Sequence, residues 1–209
     1  MTVLNTIVAE QLNAFKAAVD VRIKGGDKKD DALLKELQKL IKEHKAIRFE
    51  GNGYGDEWVK EAKKRGLSNL TDTPTALQVW GRKEVAELFS SLGVLTTEEL
   101  HARQEVEYEN YIMKRQIEAR IAGDMATNIV LPAAIAYQNM LIENISGLMD
   151  VFGKDAKAMT VGQREVLAEV SECVSKLHKS ASSLRSERSK INKMDDIAKR
   201  AVKYGSVVT

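Results

Sequence analysis

Two apolar series with heptad spacing, separated by a short break, constrain this chain more than any other feature. Leu131, Ile135, Gln138, Ile142, Ile145, Met149 and Phe152 step by alternating fours and threes. Leu167, Val170, Val174, Leu177, Ala181 and Leu184 step the same way. Such a step keeps one side of a helix apolar along its length and marks a helix that pairs with another. Gly153 and residues 154–159 lie between the two series and read as a turn. A short link makes the two helices antiparallel neighbours, so a helical hairpin is expected. One more short helix is expected after Asn192, capped by Asp195 or Asp196.

Upstream the texture is also helical. The chain has 2 Pro and 5% aromatic residues in 209, which suits helix rather than sheet. Residues 2–21 place Leu4, Ile7, Val8, Leu12, Phe15 and Val19 on one helical face. Gly25-Gly26 ends that segment, and the charged run 27–31 is expected to supply the N-cap of a second helix reaching about His44. Leu33, Leu34, Leu37, Leu40 and Ile41 form its apolar side. Residues 46–49 could be extended. Residues 51–55, Gly-Asn-Gly-Tyr-Gly, read as a loop whose glycines favour positive φ. Asp56 is expected to cap a short helix ending at Gly66, and Thr73-Pro74 reads as an N-cap followed by a first helical position. A helix or helix pair then carries Leu77, Val85, Leu88 and Phe89 to Gly93. Thr96 and Glu99 form a capping box. A long helix follows, with a kink or break expected between Gly123 and Pro132. The expected fold is therefore all-α: a compact helical region with one Gly-rich loop, then a long antiparallel heptad hairpin. A single boundary is drawn, 1–125 against 126–209.

Charge and cysteine content narrow the function. Lys and Arg total 32 and Asp and Glu 30, so no net charge draws nucleic acid or an anionic membrane. A single Cys excludes an intrachain disulfide and a multi-thiolate zinc site. Uninterrupted apolar runs fall short of the ~20 residues of a spanning helix, and residues 1–11 lack the basic start of a signal peptide. The expectation is a cytoplasmic protein that engages neither nucleic acid nor membrane.

Residues with chemical potential do not form a catalytic pattern. His44, His101 and His178 are far apart in sequence and read as surface histidines. Cys173 sits beside the heptad row and reads as an inert thiol. The loop at 51–55 lacks both the Gly-Lys-Ser/Thr ending of a P-loop and the flanking strand of a dinucleotide site. Asp56-Glu57 could be paired carboxylates, but two acids in a helix's first turn are explained by the helix dipole. Arg185, Arg188, Lys190 and Lys193 are the densest basic cluster, with Glu187 interspersed, and read as a solvated face. No catalytic, cofactor-binding or metal-binding residue is assigned.

Residues 46–77 carry a specific resemblance. Asn52-Gly53-Tyr54, Asp56-Glu57-Trp58, Lys64-Arg65-Gly66-Leu67 and Thr73-Pro74 together resemble a segment of the type III glutamine synthetases. The opening residues 2–10 resemble a helix of the same enzymes. So do Phe89, Leu92-Gly93-Val94, Glu98-Glu99-Leu100-His101, Arg103 and Glu109-Asn110-Tyr111 near the end of the catalytic domain. Leu131-Pro132-Ala133 and Tyr137-Gln138 resemble the start of a class-specific helical extension. Gly55 departs from the pattern, where a polar residue is expected.

The resemblance implies that residues 1–125 end a catalytic domain, with a helical insertion at about 22–70, and that 126–209 form its extension. It implies a parent enzyme that joins glutamate and ammonia with ATP and Mg, through residues upstream of anything in this chain. It implies as partners the remainder of the synthetase subunit and neighbouring subunits in a homo-oligomeric ring. Met1 falls inside what is a continuous helix in that enzyme, which implies a cloned or proteolytic fragment or a truncated gene product. The first helix is then expected to pack on the hairpin or on a second copy. Two alternatives stay open: a stand-alone helical interaction module, and a nucleotide-responsive module using the loop at 51–55.

Overall fold

The computed structural model describes residues 1–208, and among them every regular element is helical. The chain divides into two compact units, Met1–Gln104 and Glu105–Thr209, and the division falls inside one long helix.

The first unit begins with α1 (Thr2–Lys24) and α2 (Lys29–Glu43), packed on one another. Gly25 and Gly26 end α1, and Gly26 takes φ +100°, where other residues are strained. The cap position of α2 falls within the charged run 27–31, at Lys28, with no side-chain bond. Asp27 instead accepts from Lys35 Nζ at 2.8 Å, while Asp30 and Asp31 sit in the first turn. The buried side of α2 is Ala32 and Glu36, four residues apart, not the leucine side. Glu36 accepts from Arg22 Nε of α1, which turns this line inward. Leu34, Leu37 and Ile41, roughly a third of a turn or more away on the wheel, are left exposed. In α1, Val19 is buried while Leu4, Ile7, Val8 and Leu12 are exposed. Within this unit α1 touches α2 and α5 (Lys83–Ser91).

After α2 a short 3-10 turn, His44–Ile47, takes the place of an extended segment. The loop at 51–55 precedes α3 (Asp56–Lys64). Gly55 holds the α3 cap position and Asp56 lies in the first turn, so Asp56 acts through the helix dipole and not as the cap. The ends of α3 and α5 use the same motif as the end of α1, where Gly26 N bonds Ile23 O and Asp27 N bonds Arg22 O. Leu67 N bonds Ala62 O at 2.9 Å and Gly66 N bonds Lys63 O, with Gly66 at φ +73°. Val94 and Gly93 repeat those bonds to Phe89 and Ser90 at the end of α5. These satisfy carbonyls that a helix end leaves orphaned.

The cap of α4 (Thr73–Leu77) is Asp72, one residue earlier than expected. Its Oδ1 accepts from Thr75 N at 2.8 Å, and this backbone donor holds the carboxyl below its ordinary range. A 3-10 turn, Gln78–Gly81, separates α4 from α5, so the segment is a helix pair. Gln104 Nε2 donates to Leu77 O at 2.6 Å and fastens that turn. The capping box forms as expected, with Thr96 N to Glu99 Oε2 at 2.9 Å and Glu99 N to Thr96 Oγ1 at 3.2 Å.

Helix α6 (Thr97–Met125) opens there and carries the division between units. Neither a break nor a plain kink follows. A π-helical turn, Ala126–Val130, leads directly into α7 (Leu131–Phe152), with Pro132 in its first turn. Pro lacks an N–H and its ring crowds the carbonyl four residues back; one wide turn accommodates both. Thr127 Oγ1 donates to Gly123 O at 2.9 Å, and Arg185 Nη2 donates to Thr127 Oγ1 at the same distance.

The hairpin is α7 against α9 (Val161–Ile191), joined by Gly153 at φ +58°, a 3-10 turn and the single-turn α8 (Ala156–Met159). The α9 row is the expected one and continues through Arg188 to buried Ile191. The α7 row is not. The inward residues are Leu131, Ala134, Gln138, Leu141, Ile145 and Leu148. Ile135, Ile142, Met149 and Phe152 stay exposed. Two adjacent rows on α7 are comparably apolar and share Leu131, Gln138 and Ile145, and the shared Gln138 forms a polar rung to α9. Gln138 Nε2 donates to Ser171 Oγ at 2.7 Å, and that hydroxyl donates to Leu167 O at 2.6 Å.

Helix α10 (Ile197–Val208) closes the second unit and packs on α9. Asp196 is its cap: Oδ1 accepts from Lys199 N at 3.0 Å, and that bond lowers the carboxyl pKa. Ala201 and Tyr204 are fully buried. The Tyr204 hydroxyl donates to Asn192 Oδ1, which also accepts from Gln116 Nε2 at 2.9 Å. One side-chain oxygen thus ties α6, the end of α9 and α10 together.

Candidate functional site

Two of the residues that carry the resemblance, Trp58 and Arg65, meet at Phe49. Arg65, at the end of α3, donates Nη1 to the carbonyls of Ala46 and Arg48, each at 2.7 Å. Its Nε donates to Glu61 Oε1 at 2.7 Å, and this bond lowers the Glu61 pKa. The guanidinium lies 6.0 Å from the centre of the Phe49 ring, and Phe49 stacks on Trp58 at 4.8 Å with the rings tilted 38°. Arg65 therefore holds the backbone entering the Gly-rich loop against α3. Glu61 and Arg65, four apart on a helix, mark the ion pair in the sequence; the two carbonyls are visible only in the fold.

The loop itself differs from expectation in its backbone. None of Gly51, Gly53 or Gly55 has positive φ. Gly51 is required by crowding instead, since a Cβ there would stand 2.4 Å from the Phe49 ring. A turn closes the loop, with Gly55 N bonded to Asn52 O at 3.1 Å and Tyr54 N to Asn52 Oδ1 at 3.0 Å. Tyr54 projects from it, fully exposed. The three backbone N–H groups that a phosphate cradle would aim outward are not gathered here, because two of this loop's donors turn back on Asn52.

The other candidates are dispersed. His44, His101 and His178 are all exposed, as is Cys173. Among the described residues no group of three or more His, Cys, Asp or Glu converges as a metal site would require. Asp56 and Glu57 occupy the first turn of α3. The basic cluster is partly spoken for: Arg185 bonds Thr127 and Lys190 pairs with Glu187 at 2.6 Å.

What the first unit does present is an apolar surface. On α2, Leu37, Leu40 and Ile41 floor a shallow hollow of about 210 Å³, rimmed by His44 and Arg48. Leu34 is exposed on the same helix, and α1 adds its exposed row from Leu4 to Leu12. A second hollow, of about 330 Å³, lies over the capping box at residues 93–99. One helical region, Thr97–Met159, is long and apolar enough to cross a membrane by length and composition. Ala, Gly, Asn and Ser interrupt its large apolar residues, so no uninterrupted apolar run marks it in the sequence.

These features fit what the chain is similar to. A profile of the glutamine synthetase C-terminal domain matches residues 32–149. Glutamine synthetase of Bacteroides fragilis is 35% identical over 209 residues, all of this chain and 29% of that protein. Glutamine synthetase of Butyrivibrio fibrisolvens is 31% identical over 88% of this chain and 26% of its own length. The type-3 glutamine synthetase of Dictyostelium discoideum is 35% identical over 70% of this chain and 20% of its own length. The chain thus spans less than a third of each of these relatives. It belongs to the glutamine synthetase C-terminal domain family.

Proposed function

We propose that this chain is the structural C-terminal segment of a type III glutamine synthetase. The observation that carries the reading is the exposed leucine face of α1 and α2, in a chain less than a third as long as its relatives. Each large aliphatic side chain moved fully out of water is worth about 1.5–3 kcal/mol. A row of seven such residues, Leu4, Ile7, Val8, Leu12, Leu34, Leu37 and Ile41, is therefore a surface that a monomer of this size rarely leaves bare. Its occupant in this reading is the catalytic part of the synthetase subunit.

The ligase reaction, glutamate with ammonia at the expense of ATP and Mg, then belongs to residues outside this segment. The segment contributes packing: α1 and α2 cover the catalytic part, Arg65 fixes the backbone entering the loop at 51–55 against α3, and the hairpin takes part in a cytoplasmic homo-oligomeric ring. The isolated chain is inactive as a ligase and binds no ATP.

Two measurements test this. An open reading frame encoding the catalytic part, found directly upstream of codon 1, supports the reading; unrelated coding sequence there overturns it. In that full-length enzyme, the pair Leu37→Glu and Ile41→Glu is expected to release the segment from the catalytic part and lower ligase turnover at least tenfold while leaving the helix content of the isolated segment unchanged. Unaltered turnover would remove the docking role.

A further inference from the structure

A second apolar row is left over after the hairpin has formed, and it lies wholly on α7. Ile135, Ile142 and Met149 are 47%, 48% and 39% exposed and recur every seven residues, beside the buried row. Only 6% of the most apolar window in this helical region is buried. A two-helix hairpin needs two apolar positions per heptad; a third is the pattern of a helix packed in a bundle of more than two.

The two edges of this row differ in charge. On the outer side of α7 lie Glu143 and Asp150, and α7 carries no basic residue at all. On the other side is α9, whose Arg164 reaches across to Met149, with Nη2 at 3.7 Å from Sδ. The adjoining positions one heptad apart on α9 are Ser171, His178 and Arg185.

We propose that this face pairs with the same face of a second copy of the chain, α7 on α7 in parallel register. With the two-fold axis running along α7, Ile135, Ile142 and Met149 each meet their own counterpart. Each copy's α9 then falls on the outer, acidic side of the other's α7, at a level that brings Arg164 beside Asp150 of the second copy. Antiparallel pairing instead sets acidic edge on acidic edge and basic on basic. Charge complementarity thus selects both the occupant and the direction, as an isologous contact requires. The proposal deepens the assembly part of the function above, yet it rests on α7 and α9 alone.

The test uses the full chain with Cys173→Ser as background. Mild oxidation of an Ile135→Cys variant is expected to give a disulfide-linked dimer, because the two residues 135 face one another in the parallel pair. A crosslink that forms only between Ile135→Cys and Met149→Cys chains means antiparallel pairing and overturns the assignment. By light scattering, Ile142→Asp is expected to weaken association at least tenfold with helix content retained. Asp150→Arg is expected to weaken it about tenfold, and Arg164→Asp added to it to restore most of the loss. A wild-type chain that stays monomeric at tens of micromolar, or floats instead with phosphatidylcholine–phosphatidylglycerol vesicles, removes the proposal. Failure here leaves the α1–α2 docking surface untouched, and failure of the Leu37 and Ile41 pair leaves this one untouched.

Discussion

The two units solve the same problem, an excess of apolar helix surface, in opposite ways. In the second unit the buried row of α7 finds the row of α9, and α10 seals the far end with Ala201 and Tyr204. In the first unit α1 and α2 meet through Val19, Ala32 and an Arg22–Glu36 ion pair, and their leucines face outward. One unit pairs its long helices through large apolar side chains, although Ile135, Ile142 and Met149 stay outside that seam. The other is held at its inner side by small and charged residues and offers its large apolar ones to something else. Hydrophobic spacing alone cannot tell these cases apart, because an exposed docking face and a core face have the same period.

Substitutions should separate the units sharply. Ile191→Ala removes a buried side chain from the second unit and should cost about 2–4 kcal/mol in urea unfolding. Leu37→Ala, on the open face of the first, should cost less than about 0.5 kcal/mol; equal losses would erase the contrast. The α7 assignment can be tested the same way. Leu141→Ala should destabilise by about 2 kcal/mol, and its neighbour Ile142→Ala by about 1 kcal/mol or less in the monomer. The reverse order would restore the row read from the sequence. Tyr204→Phe keeps the ring and loses the bond to Asn192, a loss of about 1 kcal/mol.

In the first unit the sharper effect is local. Arg65→Met should speed amide exchange across residues 46–55 by an order of magnitude or more while shifting global stability by about 1 kcal/mol or less. Unchanged exchange there would mean that Arg65 does not hold the loop.

The smallest effect is one the units share. Asp72 and Asp196 have folded-state pKa values below the ordinary carboxylate value, because each accepts a backbone N–H at a helix start. Their contribution is therefore present above the unfolded carboxylate pKa near ~4 and is lost as pH falls through the lower folded value. Asp72→Asn and Asp196→Asn should each flatten the stability decline between about pH 5 and pH 2. A decline as steep as that of the parent chain would show that neither cap titrates with folding.

Local chemistry was the most readable part of the sequence. Glycines at 66 and 93, the Thr96–Glu99 box and the cap at Asp196 each need only neighbours within five residues, and each forms as read. Caps assigned to Asp56 and Thr73 each moved by one residue, to Gly55 and Asp72. The row on α9 was also legible, since its flanking positions are polar and leave one choice. On α7 two rows competed, and Ala134 looked too small to be preferred over Ile135. At the candidate site, Phe49, Trp58 and Arg65 stood out in the sequence by resemblance alone. That Arg65 grips two carbonyls seventeen and nineteen residues upstream is a long-range fact.

By itself, then, the order of residues determined that the chain is helical, where most helices stop, that the last two long ones pair, and which enzymes it resembles. Those properties follow from bonds and spacings within one or two turns. Which side of each helix faces inward was decided only in three dimensions. Burial is shared between elements, and a cross-helix contact such as Glu36 to Arg22 can turn a less apolar line of a helix inward.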